Sequence, residues 1–274
     1  MIMQYQRQRK TVLEHIMTSK NIRESELLKR QDYLVVQAND LAKAFGNLTT
    51  FQHKILDWCF SYVQQNDKPE QLYYTNAGDI IKHLGLTDGG FNYRRIVKAF
   101  KALNEKTAIY MVTEKSDGKT GLLMTSLFDH IEVVEDGSIE FSFHRLVSPY
   151  VFQLKERYYS FKLSELSQAR SKYTLALMKL WNANSHNNRK DTVVIDASLE
   201  EWENWFLGAD EDGKPKQWPA GRFFSKCLKT AIDELKELYP DVVVNHTVKR
   251  AGRKTAGYIV TIGRTKMLEG ITLN

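Results

Sequence analysis

The sequence predicts an α+β protein built from two winged-helix units, each a helix-turn-helix followed by a β-hairpin wing. Two observations carry this prediction. One order of elements (long helix, short strand, helix, helix, hairpin) occurs twice, beginning near residue 50 and again near residue 171. In both copies the last helix before the hairpin carries its basic residues together, which is how such units meet nucleic acid.

The first copy opens with a short capped helix over residues 39–46. "TTFQHKILDWCFSYVQQ" then sets Phe51, Ile55, Trp58, Cys59 and Tyr62 on one helical stripe. "LYYT" reads as a strand, and "NAGDIIKHLG" as a helix ended by Gly85. "GGFNYRRIVKAFKALNEK" is the third helix, with Ile96, Val97, Phe100 and Leu103 inward. "AIYMVTE" and "LLMTSLF" flank a turn and give the expected wing, with Lys115, Asp117 and Lys119 at its tip. A further hairpin turns at Asp136-Gly137.

The second copy starts with "SKYTLALMKLWNAN", followed by the strand "TVVID". In "SLEEWENWFLG", Ser198 and Glu201 form a capping box and Gly208 stops the helix. Pro219 and Pro240 bound the next helix, and "DVVVNHTV" and "AGYIVTIG" flank the tip "KRAGRKT". The predicted organisation is an N-terminal extension over 1–30, an N-terminal winged helix over 31–150 and a C-terminal DNA-binding winged helix over 151–274. The aromatic stretch 144–170 is expected to be a packed junction between them.

The helix beginning "PAGRFFSKCLKT" poses a charge problem. Its buried stripe is Phe223, Phe224, Cys227, Leu228, Ala231, Ile232 and Leu235. Arg222, Ser225, Lys226 and Lys229 fall at i, i+3, i+4 and i+7, one face of a regular α-helix. A cation at an exposed helix N-terminus opposes the macrodipole, at about 0.3–1 kcal/mol each. The acids Asp233, Glu234 and Glu237 come only downstream. DNA phosphates and guanine edges would supply the missing partners. The competing reading is a solvated lysine face. It loses ground because the next hairpin carries Lys249, Arg250, Arg253 and Lys254 with no acid among them. In the first unit Arg94, Arg95, Lys98 and Lys101 form a softer version of the same face. That leaves open whether this unit contacts DNA or serves protein association.

Composition fits such a role without proving it. The chain has 274 residues and a net charge of +6, a mildly basic balance compatible with nucleic acid. No uncharged run is long enough to span a bilayer, and the first twenty residues lack the apolar core of a secretory signal. Cys59 and Cys227 read as buried thiols of a reducing, cytoplasmic compartment. Catalytic signals are poor. The seven histidines include no His-x-His pair, and there is no phosphate-loop motif and no Cys-x-x-Cys. Tyr158-Tyr159 has no metal or basic constellation around it, so it reads as packed aromatics. Asp210–Gly213 is an acidic turn too short for a calcium loop. No cofactor, metal or catalytic residue is expected.

Three segments resemble the two-winged-helix replication initiators of iteron-bearing, theta-replicating plasmids. They are "VVQANDLAKAFGNLTTFQHKILDWC", "FSFHRLVSPYVFQLKERYYSFKLSELSQARSKYTLALMKLW" and "RFFSKCLKTAIDELKEL", in that order and spacing. The resemblance spans roughly residues 31–265. It implies binding to origin repeats, with recognition by Arg222, Ser225, Lys226 and Lys229 and wing contacts from Lys249 to Lys254. It also implies opening of an A·T-rich region, recruitment of a host initiator and replicative helicase, and a monomer–homodimer equilibrium in which dimers repress the initiator's own gene. The sequence departs from a tight helix-turn-helix at the long turn "ADEDGKPKQW". Rival readings are a tandem winged-helix transcription regulator and a strand-nicking initiator enzyme.

Overall fold

The computed structural model describes residues 34–64, 66–114, 116–152, 158–185, 192–208 and 216–264. The extension 1–30, Lys115, His186 and the acidic turn 210–213 lie outside the described residues, as do the side chains of Tyr158 and Tyr159.

The first half runs β1 (Leu34–Ala38), a 3-10 turn (Asn39–Lys43), α1 (Thr50–Phe60), β2 (Tyr73–Asn76), α2 (Ala77–His83) and α3 (Gly90–Lys106). It continues through β3 (Ala108–Glu114), β4 (Thr120–Ser126), β5 (Phe128–Val133) and β6 (Ser138–Phe143). The junction holds α4 (Ser148–Val151), β7 (Tyr158–Lys162) and α5 (Leu163–Gln168). The second half runs α6 (Lys172–Asn184), β8 (Thr192–Ser198) and α7 (Leu199–Leu207). A continuous helical run over 220–238 and the hairpin β9 (Val242–Ala251) and β10 (Lys254–Arg264) complete it.

Local chemistry explains the helix starts. Thr49 and Gln52 form a capping box on α1, and Ser198 and Glu201 form the predicted one on α7. Asn76 accepts from the Gly78 amide to open α2.

All sheet pairings are antiparallel. They give a three-stranded sheet β2-β6-β5, another β8-β10-β9, and two-stranded pairs β3-β4 and β1-β7. This corrects the assignment of the first wing. In the second unit the strand before the helix-turn-helix, β8, pairs with the last strand of the wing, β10. Its counterpart β2 pairs with β6, not with β3 or β4. The hairpin equivalent to the second wing is therefore β5-β6, and β3-β4 is an insertion ahead of it. The repeat of elements otherwise matches, and the fold is α+β winged helix. Val97, expected inward, is 43% exposed, because α3 turns its buried side through Ile96, Ala99, Phe100 and Leu103.

One hydrophobic core runs through both halves, from Leu48 and Trp58 to Phe206, Leu235 and Val260. β1 and β7 join the chain ahead of α1 to the junction. Close backbone approach and buried charge tie the halves together. Gly208 ends α7 at φ +72, and an added Cβ there would collide with the backbone nitrogen of Asn47. Lys172 Nζ donates to the Gly46 carbonyl at 2.7 Å, and burial, with repulsion from Lys216, pushes its pKa down to about 8. Lys179 of α6 and Asp57 of α1 form a buried ion pair at 2.6 Å.

His53 is packed beside that pair. Burial holds its pKa well below the ordinary 6.5; repulsion from Lys179 and Lys172 adds to this, and the Phe45 backbone opposes it. Its Nδ1 has no hydrogen-bond partner among the described residues. Below about pH 6.5 the unfolded chain gains a proton here that the folded chain refuses. Stability therefore falls as pH falls, by up to about 1.4 kcal/mol per pH unit from this group. Urea midpoints compared at pH 7 and pH 5.5 should show a steeper loss in the wild type than in His53→Gln.

Candidate nucleic-acid interface

The helical run over 220–238 is not one regular α-helix. It comprises α8 (Ala220–Phe223), a π-turn (Phe224–Leu228) and α9 (Lys229–Leu238). The apolar spacing accounts for this. Phe223, Cys227, Ala231 and Leu235 are all fully buried and lie four residues apart. Each four-residue step over-rotates an α-helix by about 40°. A wider i→i+5 turn absorbs part of that drift and keeps all four on the core. Phe224, expected in the buried stripe, is half-buried instead and stacks on His246 and Tyr258 at 4.6 and 5.6 Å between centroids.

The basic face is consequently not the straight stripe the spacing predicts. Arg222, Ser225, Lys226 and Lys229 are all exposed, but the π-turn rotates Arg222 relative to Lys229. Their partners differ as well. Lys229 pairs with Asp233 at 2.5 Å, four residues on. Lys226 has no ion pair among the described residues, and its carbonyl accepts from Thr230. Ser225 donates its hydroxyl to the Arg222 carbonyl. The Arg222 guanidinium lies 4.3 Å from the Trp218 ring centre.

The downstream acids are spent elsewhere. Glu234 is buried and accepts from the Arg170 and Ser171 amides and from the Thr174 hydroxyl, capping the start of α6. Glu237 pairs with Arg170. The apparent charge reversal along this helix thus has a structural half: Glu234 and Glu237 hold the start of α6, while Arg222 and Lys226 have no ion pair among the described residues.

In the wing, Tyr258 of β10 reaches back through its hydroxyl to the Ala220 carbonyl at 2.9 Å, fixing the helix start on the sheet. The tip is narrower than the sequence implies. β9 continues to Ala251, and the turn is Gly252-Arg253, with Gly252 at φ +60. Lys249 lies within β9 and pairs with Asp196 of β8 at 2.5 Å. Arg250, Arg253 and Lys254 are exposed and have no ion pair among the described residues.

The first unit differs in its charge. On α3, Arg94, Arg95, Lys98 and Lys101 are exposed. Arg95 stacks on Phe51 at 3.8 Å, and Lys101 lies 3.8 Å from Glu105. The topological wing turns through Glu135, Asp136 and Gly137, with Glu132 and Glu140 along its strands, so it is acidic where the second wing is basic. In the β3-β4 insertion, Lys119 pairs with Asp117.

A family model for the initiator replication protein WH1 domain matches residues 34–182, more than half of the chain. The chain belongs to the initiator replication protein family. Among solved structures, the initiator is similar to the Pi initiator protein crystallised with iteron DNA. The identity is 18%, the TM-score 0.66, and the match covers 85% of this chain and 98% of that one. It also matches the domain 2 and domain 3 structure of RctB at 14% identity and a TM-score of 0.45, covering 83% and 82%. Curated proteins give no match. Among the described residues, no helix is long and apolar enough to cross a membrane, and no cluster of three or more His, Cys, Asp or Glu is placed to hold a metal.

Sequence reasoning missed the Trp218–Arg222 stack, the Arg95–Phe51 stack and the neutralisation of Lys249 by Asp196. Only the last left a trace, an aspartate in the predicted strand "TVVID".

Proposed function

We propose that this initiator binds iteron repeats at a replication origin in double-stranded form, sequence-specifically and with no covalent chemistry of its own. Two units carry the activity, 31–150 and 151–274. Residues 220–238 lie in the major groove and the β9-β10 wing lies on the backbone. Arg222, Ser225 and Lys226 meet base edges or nearby phosphates, with Lys229 a weaker contributor because Asp233 competes for it. Arg250, Arg253 and Lys254 hold phosphate, and Lys249 assists. On α3, Arg94 and Lys98 add backbone contacts. The bound protein promotes opening of adjacent DNA and recruits a host initiator and replicative helicase in the cytoplasm. A homodimer in exchange with the monomer represses the initiator's own gene.

The observation that carries this reading is the asymmetry of charge use. Among the described residues, all three acids of the helix at 220–238 are paired, while Arg222 and Lys226 near its start and Arg250, Arg253 and Lys254 at the wing tip have no ion pair. Membership of an initiator family and likeness to a fold crystallised on iteron DNA support it.

The test is selection from a random duplex pool, followed by footprinting of the selected sequence in the DNA beside the gene. Repeats of one motif are expected. Arg222→Ala should cost about 1–3 kcal/mol, concentrated at one base position. Binding without sequence preference, or an unchanged preference in Arg222→Ala and Lys226→Ala, would remove the assignment. Incubation with supercoiled origin DNA and magnesium or manganese tests the absence of chemistry; nicked circles with protein joined to the end would make it an enzyme.

A further inference from the structure

We propose that Trp218 is a positioning residue, which holds the Arg222 guanidinium in the orientation that reads a base edge. The inference rests on the reading that residues 220–238 meet DNA.

Four observations carry it. Trp218 is half-buried and packs against the core, so its ring is a fixed surface. Its backbone N–H donates to Oε1 of the buried Glu203 on α7 at 2.7 Å, which fixes the chain where it enters the helix. Tyr258 fixes the next turn through the Ala220 carbonyl. Just past these anchors, Arg222 lays its guanidinium 4.3 Å from the ring centre, with no ion pair to an acid among the described residues.

A guanidinium held over an aromatic ring spends none of its N–H groups on a hydrogen-bond acceptor there, so their fork stays free to donate. That fork matches the paired acceptors on the major-groove edge of guanine. An unrestrained arginine loses rotamer freedom on binding, whereas a stacked one has already lost part of it. Were Arg222 present for the fold, a partner for its N–H groups would be expected. Among the described residues no acceptor takes its donors, so the ring contact orients it and leaves them unspent. Gly221 beside it is exposed, and a Cβ added there would meet nothing within 4 Å, so a base edge can approach closely.

The experiment compares dissociation constants for a duplex selected by the wild type and for a scrambled duplex of equal length. Trp218→Met keeps bulk but removes the aromatic face. It is expected to lower the specificity ratio about tenfold, and Trp218→Tyr to hold it within about threefold. Arg222→Ala introduced into Trp218→Met should cost much less than it does in the wild type, because both act through one contact. Fluorinated tryptophans inserted at position 218 keep the shape and weaken the ring face. The ratio should fall stepwise with fluorine number, a readout that a merely structural role would not move. An unchanged ratio across the fluorinated series, or additive losses in the double variant, would overturn the positioning role. Loss of specificity in Arg222→Ala alongside that result would leave the DNA reading of the helix standing. A wild type that selects no sequence, or an Arg222→Ala variant that keeps full specificity, would overturn both.

Discussion

Replacing Lys179 by methionine should lower the free energy of unfolding by about 3–5 kcal/mol. Lys179 and Asp57 meet at 2.6 Å with side chains 5% and 1% exposed, one on α6 and the other on α1. Methionine preserves most of the lysine stem but removes the buried charge that faces the Asp57 carboxylate, and the loss of that pairing dominates. Adding Asp57→Leu should recover most of the stability, since a well-packed apolar pair of similar volume often equals a buried ion pair. Urea midpoints for the two single variants and the double variant make the comparison. A single-variant loss below about 1 kcal/mol would mean that the pair is hydrated in solution. The position of the pair makes it informative about function as well. It joins the first long helices of the two units, so the double variant tests whether charge or merely packing fixes the spacing between α3 and the helix at 220–238.

Substituting Arg250, Arg253 and Lys254 together by alanine should flatten the dependence of log K on log salt by about 2.7, at about 0.9 for each phosphate contact. Affinity for selected and scrambled duplexes should fall together, because phosphate contacts position the protein without reading sequence. Lys249→Ala should change the slope by less than any one of the three, since Asp196 already holds its charge. Filter binding from 50 to 200 mM salt separates these outcomes. An unchanged slope in the triple variant would remove the wing from the interface. A large effect of Lys249 alone would mean that DNA displaces Asp196.

These contrasts show where sequence reading succeeds and where it stops. The capping box at Ser198 and the stop at Gly208 are local devices, complete within a few residues, and they were legible. So was the choice of exposed cations at 222, 226, 250, 253 and 254, because the apolar period assigns their neighbours to the core. The π-turn was less legible. Four-residue spacing from Phe223 to Leu235 is its signature, but a regular helix explains the same letters until the core demands all four side chains. Two hairpins follow α3, both with Asp-Gly turns, and nothing local says which is the wing. The pairing of β2 with β6 decides it, across more than sixty residues of chain.

Amino-acid order by itself determined the element sequence, its repetition and the surplus of positive charge on one helix and one hairpin. These follow from periodicity and turn chemistry, which act over short separations. The tertiary structure alone decided which charges remain available. Lys229, Lys249, Glu234 and Glu237 look free in sequence and are engaged in space, while Arg222 is oriented by a tryptophan whose role its own position did not reveal. Charge pairing and ring stacking depend on distances of a few ångströms between segments far apart in the chain, and only folding sets those distances.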